Sequence, residues 1–254
     1  MRSQADPRQV VTDETGAKQE MQGGADSGQR GLLLDFDHTL FDTDRFFWVD
    51  LRSAFARFGV PDDAWEMSYE VVWPLGYSLA KHLDELERLG VIIGHGIRRT
   101  MLATLEAAFS DLSIYLFPDV PAFLKAARHA GFDLILLSFG DPGWQSYKVR
   151  GSRLAPLFQK IVYTAKQGGK GDLLDDLSSS YAELRAIDNN PADLDSMKAR
   201  HPNLQTHLIC RVKPSDMEGP GGVVPDRLRE AARYLSIPSR LSHHRCSSLD
   251  EVRL

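Results

Sequence analysis

The sequence predicts an α/β protein, a doubly wound parallel sheet whose chain is interrupted after the first strand by an α-helical insertion. Three observations carry this reading. Five short runs are apolar at consecutive positions, as in strands covered on both faces. Single helical patterns separate the later runs, which is the alternation that builds parallel strands joined by helices. One long interval, 44 to 112, holds helical periodicity and no strand-like run.

The elements follow in order. Residues 1 to 30 mix Gly, Gln, Asp and Lys without apolar periodicity and lack the apolar core of a signal peptide, so a disordered tail is expected there. GLLLDFD (31 to 37) is the first strand. In the insertion, Phe47, Leu51, Phe55 and Phe58 recur at helical spacing, as do Leu79, Leu83, Leu86 and Leu89, and HGIRRTMLATLEAAFSDL (95 to 112) adds another amphipathic stretch. A helix over VPAFLKAARHAG (120 to 131) leads into the strand FDLILLSFG (132 to 140), and KIVYTA (160 to 165) is the next strand. KGDLLDDLSSS (170 to 180), ELRAIDN (183 to 189), PADLDSMKARH (191 to 201), LQTHLICRV (204 to 212) and VPDRLREAARYL (224 to 235) then alternate helix and strand. The core thus spans 31–43 and 113–238. From Ser239 the chain is polar and aperiodic, and a flexible C-terminal tail is expected; His243, His244 and Cys246 lack the second ligand pair that zinc sites use.

Composition narrows the function. With 43% hydrophobic and 26% charged residues and a net charge of -5, the chain has no basic field for nucleic acid or anionic lipid. No stretch approaches the ~18 consecutive apolar residues of a membrane helix. The two cysteines, Cys210 and Cys246, make at most one disulfide, so a reducing, cytoplasmic setting is the simpler expectation. Acidic polymers are not expected partners.

Chemistry concentrates at strand ends. In open parallel sheets ligands bind outside the carboxyl ends of the strands, and DFDHT stands at the end of the first one. With a period of two, Asp35 and Asp37 point to one side if the strand continues that far, and such close like charges call for a divalent metal or a retained proton. The second core strand ends in Ser138, followed by Phe139 and Gly140, whose amides could face an anion. Lys170 opens a helix and Asp188 ends a strand. Each has a structural reading when taken singly: a cap, a surface lysine, a turn former before Asn-Pro. Their common position and order favour chemistry.

In that order the residues resemble the haloacid dehalogenase (HAD) superfamily over 31 to about 235: DFDHTLFDT for the first motif, Ser138 for the second, Lys170 or Lys166 for the third, Asp188 to Asp193 for the acidic fourth. The resemblance implies a Rossmann-like core with the helical C1 type of cap over 44–112. It implies Asp35 as nucleophile, Asp37 as general acid and then base, Thr39 and Ser138 as phosphoryl-binding groups, and Lys170 as the neutralising cation. It also implies Mg²⁺ held by Asp35, the Asp37 carbonyl and Asp188. Relatives that break carbon–halogen bonds lack an acid two residues after the nucleophile, so Asp37 points to a Mg²⁺-dependent phosphomonoester hydrolase with an aspartyl-phosphate intermediate and a small phosphorylated metabolite as substrate. The alternatives are a phosphomutase of the same superfamily and a catalytically weak HAD-like binding protein, since Asn189 and Asn190 stand where the fourth motif often has a second aspartate. Aromatic residues of the insertion (Phe46, Phe47, Trp48, Trp65, Tyr69, Trp73, Tyr77) are expected mostly as its core. Pro74 and Gly76 break a helix and offer Tyr77 and Lys81 to the substrate.

Overall fold

The computed structural model describes residues 28–92, 94–165, 168–217 and 224–254. Most of the expected N-terminal tail and Lys166 lie outside that range. Six parallel strands form one sheet: β1 (Arg30–Leu34), β2 (Phe132–Phe139), β3 (Lys160–Thr164), β4 (Glu183–Asp188), β5 (Gln205–Ile209) and β6 (His244–Cys246), in spatial order β3-β2-β1-β4-β5-β6.

The central place of β1 explains its unbroken leucines. Leu32 pairs with Leu134 of β2 on one side and Arg185 of β4 on the other. Successive side chains of a strand point to opposite faces, so each leucine needs its own cover. Leu33 packs in a layer with Leu174 and Leu177 of α7 (Lys170–Ser178) and Leu194 and Met197 of α8 (Pro191–Arg200). Leu32 and Leu34 join the opposite layer, which holds Phe123 and Leu124 of α5 (Val120–His129) and Val149 of α6 (Pro142–Gly151). All three leucines are at most 2% exposed. Gly171 lets α7 approach α8, because a Cβ there would stand 2.3 Å from Ser196 Oγ.

Between β1 and β2 the chain is helical, as expected. A π-helical stretch (Arg45–Leu51) runs into α1 (Arg52–Ala56), followed by α2 (Asp62–Val72), α3 (Leu79–Arg88) and α4 (His95–Ala108). Their shared core is largely aromatic: Phe46, Trp48, Trp65 and Tyr69 are buried, the last two stacked with centroids 5.2 Å apart. At its centre His82 of α3 is fully enclosed; its Nδ1 meets the Tyr77 hydroxyl at 3.0 Å and its Nε2 meets Ser68 Oγ at 2.7 Å. Gly76 (φ +77°) carries this insertion onto the core, where a Cβ would lie 3.0 Å from the Asp141 amide nitrogen.

The C-terminal segment corrects the expectation of a flexible tail. It adds β6 to the sheet edge, with Ile209 opposite Cys246, and then buries Leu249 and Val252. The Leu249 amide donates to Asp119 at 2.7 Å, and Arg185 donates to the Arg253 carbonyl at 2.6 Å. His243 pairs with Asp195 at 3.0 Å. Cys210 follows Ile209 and so faces away from Cys246; both thiols are free. Among the described residues no helix is long and apolar enough to cross a membrane.

Candidate active site

The chain runs from β1 out to β2 and β3 and returns to β4 on the other side of β1, so the strand order reverses between β1 and β4. A crevice opens outside their carboxyl ends. Asp35 stands one residue past β1 and Asp188 ends β4. The Asp35 amide still donates to the Ile187 carbonyl at 3.0 Å, which fixes the nucleophile candidate in the sheet frame. The backbone then turns sharply through His38 (φ +59°), and the Leu40 and Phe41 amides both donate to the Phe36 carbonyl.

Of the two lysines expected for the third motif, Lys170 is among the described residues and reaches the carboxylates. It is the first residue of α7, is 2% exposed, and donates to Asp35 Oδ1 at 2.6 Å and Asp188 Oδ2 at 2.7 Å. Burial opposes its charge, but Asp188, Asp35 and Asp193 hold its ammonium well above the ordinary lysine range. One ammonium does not satisfy three carboxylates. Burial raises Asp35 and Asp188 despite Lys170, and Asp188 rises well above its ordinary value.

Asp37 has partners that the motif alone does not reveal. Thr43 Oγ1 donates to its Oδ1 at 2.7 Å, Lys148 Nζ to the same oxygen at 2.5 Å, and Gln145 Nε2 to Oδ2 at 2.9 Å. Burial pushes Asp37 upward, but the Lys148 charge and these hydrogen bonds outweigh it and hold the carboxyl below its usual value. Lys148 is pushed down by burial, only partly offset by Asp37. Asp37 is therefore an ionised member of a carboxylate–ammonium pair rather than an acid standing alone.

The other expected residues take these places. Thr39 is fully buried behind Asp35 and donates to its Oδ2 at 3.2 Å. Ser138 is buried, and its Oγ accepts from Gln145 at 3.3 Å. The Gly140 amide, expected to face an anion, donates instead to the Thr164 carbonyl at 2.9 Å, and the Phe139 carbonyl accepts from Gln145. Lys81 turns its ammonium to Asp141 at 3.1 Å and to the Gly76 carbonyl at 2.8 Å, joining the insertion to the core instead of entering the cleft. Tyr77 does line the cleft. So do residues that sequence reasoning missed: Thr43, Gln145, Lys148, Glu230 and Tyr234. The cleft has the carboxylates and lysines at its floor and rings from the insertion above.

A divalent cation can be tested against these donors. The Asn189 carboxamide lies 3.2 Å from both Asp35 Oδ2 and the Asp37 carbonyl; with its NH₂ toward them it donates to both, and turned over it offers a third oxygen beside those two. Among the described residues no three His, Cys, Asp or Glu side chains are grouped as a metal cluster, so the donor set is a carboxylate, a main-chain carbonyl and a carboxamide. Such hard oxygens suit Mg²⁺, which keeps several waters. The anionic surplus around Lys170 fits the same ion.

No family model and no curated protein matches the sequence. Solved structures do match in three dimensions. A haloacid dehalogenase-like hydrolase from Burkholderia xenovorans superposes with a TM-score of 0.62 at 20% identity, over 87% of this chain and 94% of that one. L-2-haloacid dehalogenase from Xanthobacter autotrophicus, crystallised with chloropropionic acid covalently bound, gives 0.60 at 16% identity over 87% and 95%. A six-stranded parallel sheet, a helical insertion after its first strand and likeness across nearly the whole length of these proteins converge: the chain has the fold of the haloacid dehalogenase superfamily.

Proposed function

We propose that the protein is a Mg²⁺-dependent phosphomonoester hydrolase acting on a small phosphorylated metabolite through an aspartyl-phosphate intermediate. The observation that carries this is the pairing of two carboxylates at one cleft, each with its own buried ammonium: Asp35 with Lys170 and Asp37 with Lys148. A phosphate monoester is a dianion, so attack by a carboxylate needs charge cancellation and in-line positioning. Asp35 Oδ attacks phosphorus as the ester oxygen leaves; Lys170 offsets the charge that gathers on the phosphoryl oxygens. The leaving alkoxide takes a proton, and the Asp37–Lys148 pair holds one between its two members. In the second half, Asp37 accepts a proton from the water that opens the acyl phosphate, returning Asp35 and releasing inorganic phosphate. Asp35, the Asp37 carbonyl and either Asp188 or Asn189 would hold Mg²⁺, which would supply charge neutralisation to the phosphoryl oxygens.

A second reading rests on Asn189. With its NH₂ donating to Asp35 Oδ2 and the Asp37 carbonyl, the site is hydrogen-bonded without a metal, as suits attack of Asp35 on a carbon–halogen bond, whose leaving halide needs no proton. One experiment separates the two. Phosphate release from a broad phosphomonoester panel, with Mg²⁺ or with chelator, is compared with halide release from 2-chloropropionate, with Asp35→Asn as the blank. Mg²⁺-dependent phosphate release that disappears in Asp35→Asn supports the proposal. Metal-independent halide release, or retained phosphatase turnover in Asp35→Asn, overturns it.

A further inference from the structure

The cleft carries an unused acid. Glu230 of α9 (Arg229–Leu235) lines it at 1% exposure; Oε1 accepts from Trp48 Nε1 at 3.3 Å, and buried Oε2 has no hydrogen-bond partner. Its neighbours do not neutralise it. The Arg233 guanidinium bonds to Glu70 and reaches Glu230 only at 3.5 Å, on Oε1, while the ring of His38 faces Asp44 at 3.4 Å. Burial raises Glu230 to about 7, with Arg233 and His38 opposing and Asp44 and Glu70 adding to the rise.

Much of the rest of the wall is aromatic: Phe47, Tyr69, Trp73, Tyr77 and Trp144 line the same cleft, and the Tyr77 hydroxyl is engaged by His82. Of the two ammoniums at the floor, Lys148 is held by Asp37 and Lys170 by Asp35 and Asp188. A leaving group bearing a carboxylate would therefore meet carboxylates and ring faces, with each nearby cation already engaged: the lysines by the floor carboxylates, and Arg233, which lies 4.9 Å over Trp73, by Glu70. A cation would meet ring quadrupoles and an acceptor without a donor, both worth more when water is excluded.

We propose that the leaving-group end of the cleft takes a primary ammonium, which donates to Glu230 Oε2 against the ring faces, so that the substrate is the phosphomonoester of a short amino alcohol. The substrate assignment rests on the phosphatase reading, while the ammonium subsite does not. Two measurements on the full chain keep them apart. Tryptophan fluorescence, reporting from Trp73 and Trp144, is titrated with propylammonium and with neutral 1-propanol. The ammonium should saturate the change at roughly tenfold lower concentration or below, and Glu230→Gln should bring the two within about twofold. Phosphate release is then compared for 2-aminoethyl phosphate and ethyl phosphate, where kcat/KM should favour the amine by about tenfold or more, mainly through KM, and Glu230→Gln should erase the ratio. Equal binding of the two probes, or equal kcat/KM for the two esters, overturns the ammonium subsite in the wild-type protein, without reliance on a variant. If propylammonium binds through Glu230 while no ester is hydrolysed, the subsite stands and the phosphatase reading falls.

Discussion

His82 makes the helical insertion sensitive to acid by an amount that can be worked out. Its ring has no exposure, stacks on Phe55 at 4.9 Å and is bracketed by Ser68 and Tyr77, and burial lowers its pKa from 6.5 to about 3. The Trp65 carbonyl, 3.3 Å from Nε2, can only accept, so Nε2 carries the proton and Nδ1 accepts from Tyr77. Both nitrogens are committed in the neutral form. A depressed histidine pKa means that the unfolded chain takes up a proton below pH 6.5 while the folded one does not, so stability is lost as pH falls from 6.5 toward 3. At pH 5 the unfolded histidine is about 1.5 pH units below its pKa, and at ~1.36 kcal/mol per unit the loss is roughly 2 kcal/mol relative to pH 7.5. Glu230 acts in the opposite sense: its folded pKa of about 7 favours the folded state at low pH and withdraws that support as pH rises through 7. The wild-type profile alone therefore conceals both effects. Urea unfolding at pH 7.5 and 5.0 for wild type and His82→Gln isolates the histidine, because glutamine does not titrate there. The variant should be weaker at pH 7.5 by about 1–3 kcal/mol from imperfect hydrogen bonding, yet lose about 2 kcal/mol less than wild type between the two pH values. Parallel profiles for the two proteins would refute the assignment of a buried, neutral His82.

Lys148→Met removes the cation from a pair in which Lys148 is 2% and Asp37 21% exposed. Asp37 keeps Thr43, Gln145 and some water, so the loss should be about 2–3 kcal/mol, below the 3–5 of a wholly enclosed pair, read from urea midpoints at constant m. Lys170→Met leaves Asp35 and Asp188 facing each other without their shared ammonium; it should cost about 3–5 kcal/mol and abolish turnover, measured by unfolding and by activity with the best substrate. Lys81→Ala should change stability by no more than about 1 kcal/mol, since the side chain is 41% exposed, and should leave inhibition by inorganic phosphate unaltered. Asn189→Asp adds a carboxylate beside Asp35 Oδ2 and the Asp37 carbonyl, so its melting temperature should rise more than that of wild type when Mg²⁺ is added.

What the sequence made legible follows from how each element is buried. β1 and β2 are covered on both faces and read as continuous apolar runs, and α7 and α8 announce themselves by Gly-Gly and Asn-Pro before their first turns. α6 has the Asp141-Pro142 start but no apolar stripe behind it, because its buried face is Trp144, Gln145, Lys148 and Val149, half of it polar. The same fact hid the partners of Asp37. Gln145 and Lys148 lie three apart on one helix face just after Ser138, a spacing that would have marked them had polar residues been counted as inward-facing. β6 escaped because HRC at a sheet edge buries only its cysteine, so it has no apolar pattern to show. The amide of Gly140 was misjudged for a different reason: whether a strand-end amide is free depends on the neighbouring strand, and β3 reaches far enough for Thr164 to take it.

Asp44 has a consequence for how the protein is made. Its two carboxylate oxygens accept the amides of Glu230 at 2.6 Å and Ala231 at 3.0 Å, so the first residue of the helical insertion completes the start of α9, 187 residues further along the chain. A ribosome adding ~5–20 residues per second therefore needs roughly 10–40 s between synthesising the carboxylate and the amides that receive it. Through that interval Asp44 stays without these partners, and the cleft lacks the wall to which Glu230 and Tyr234 belong. The nascent chain can pair its early strands, but it closes this cleft only after α9 has emerged.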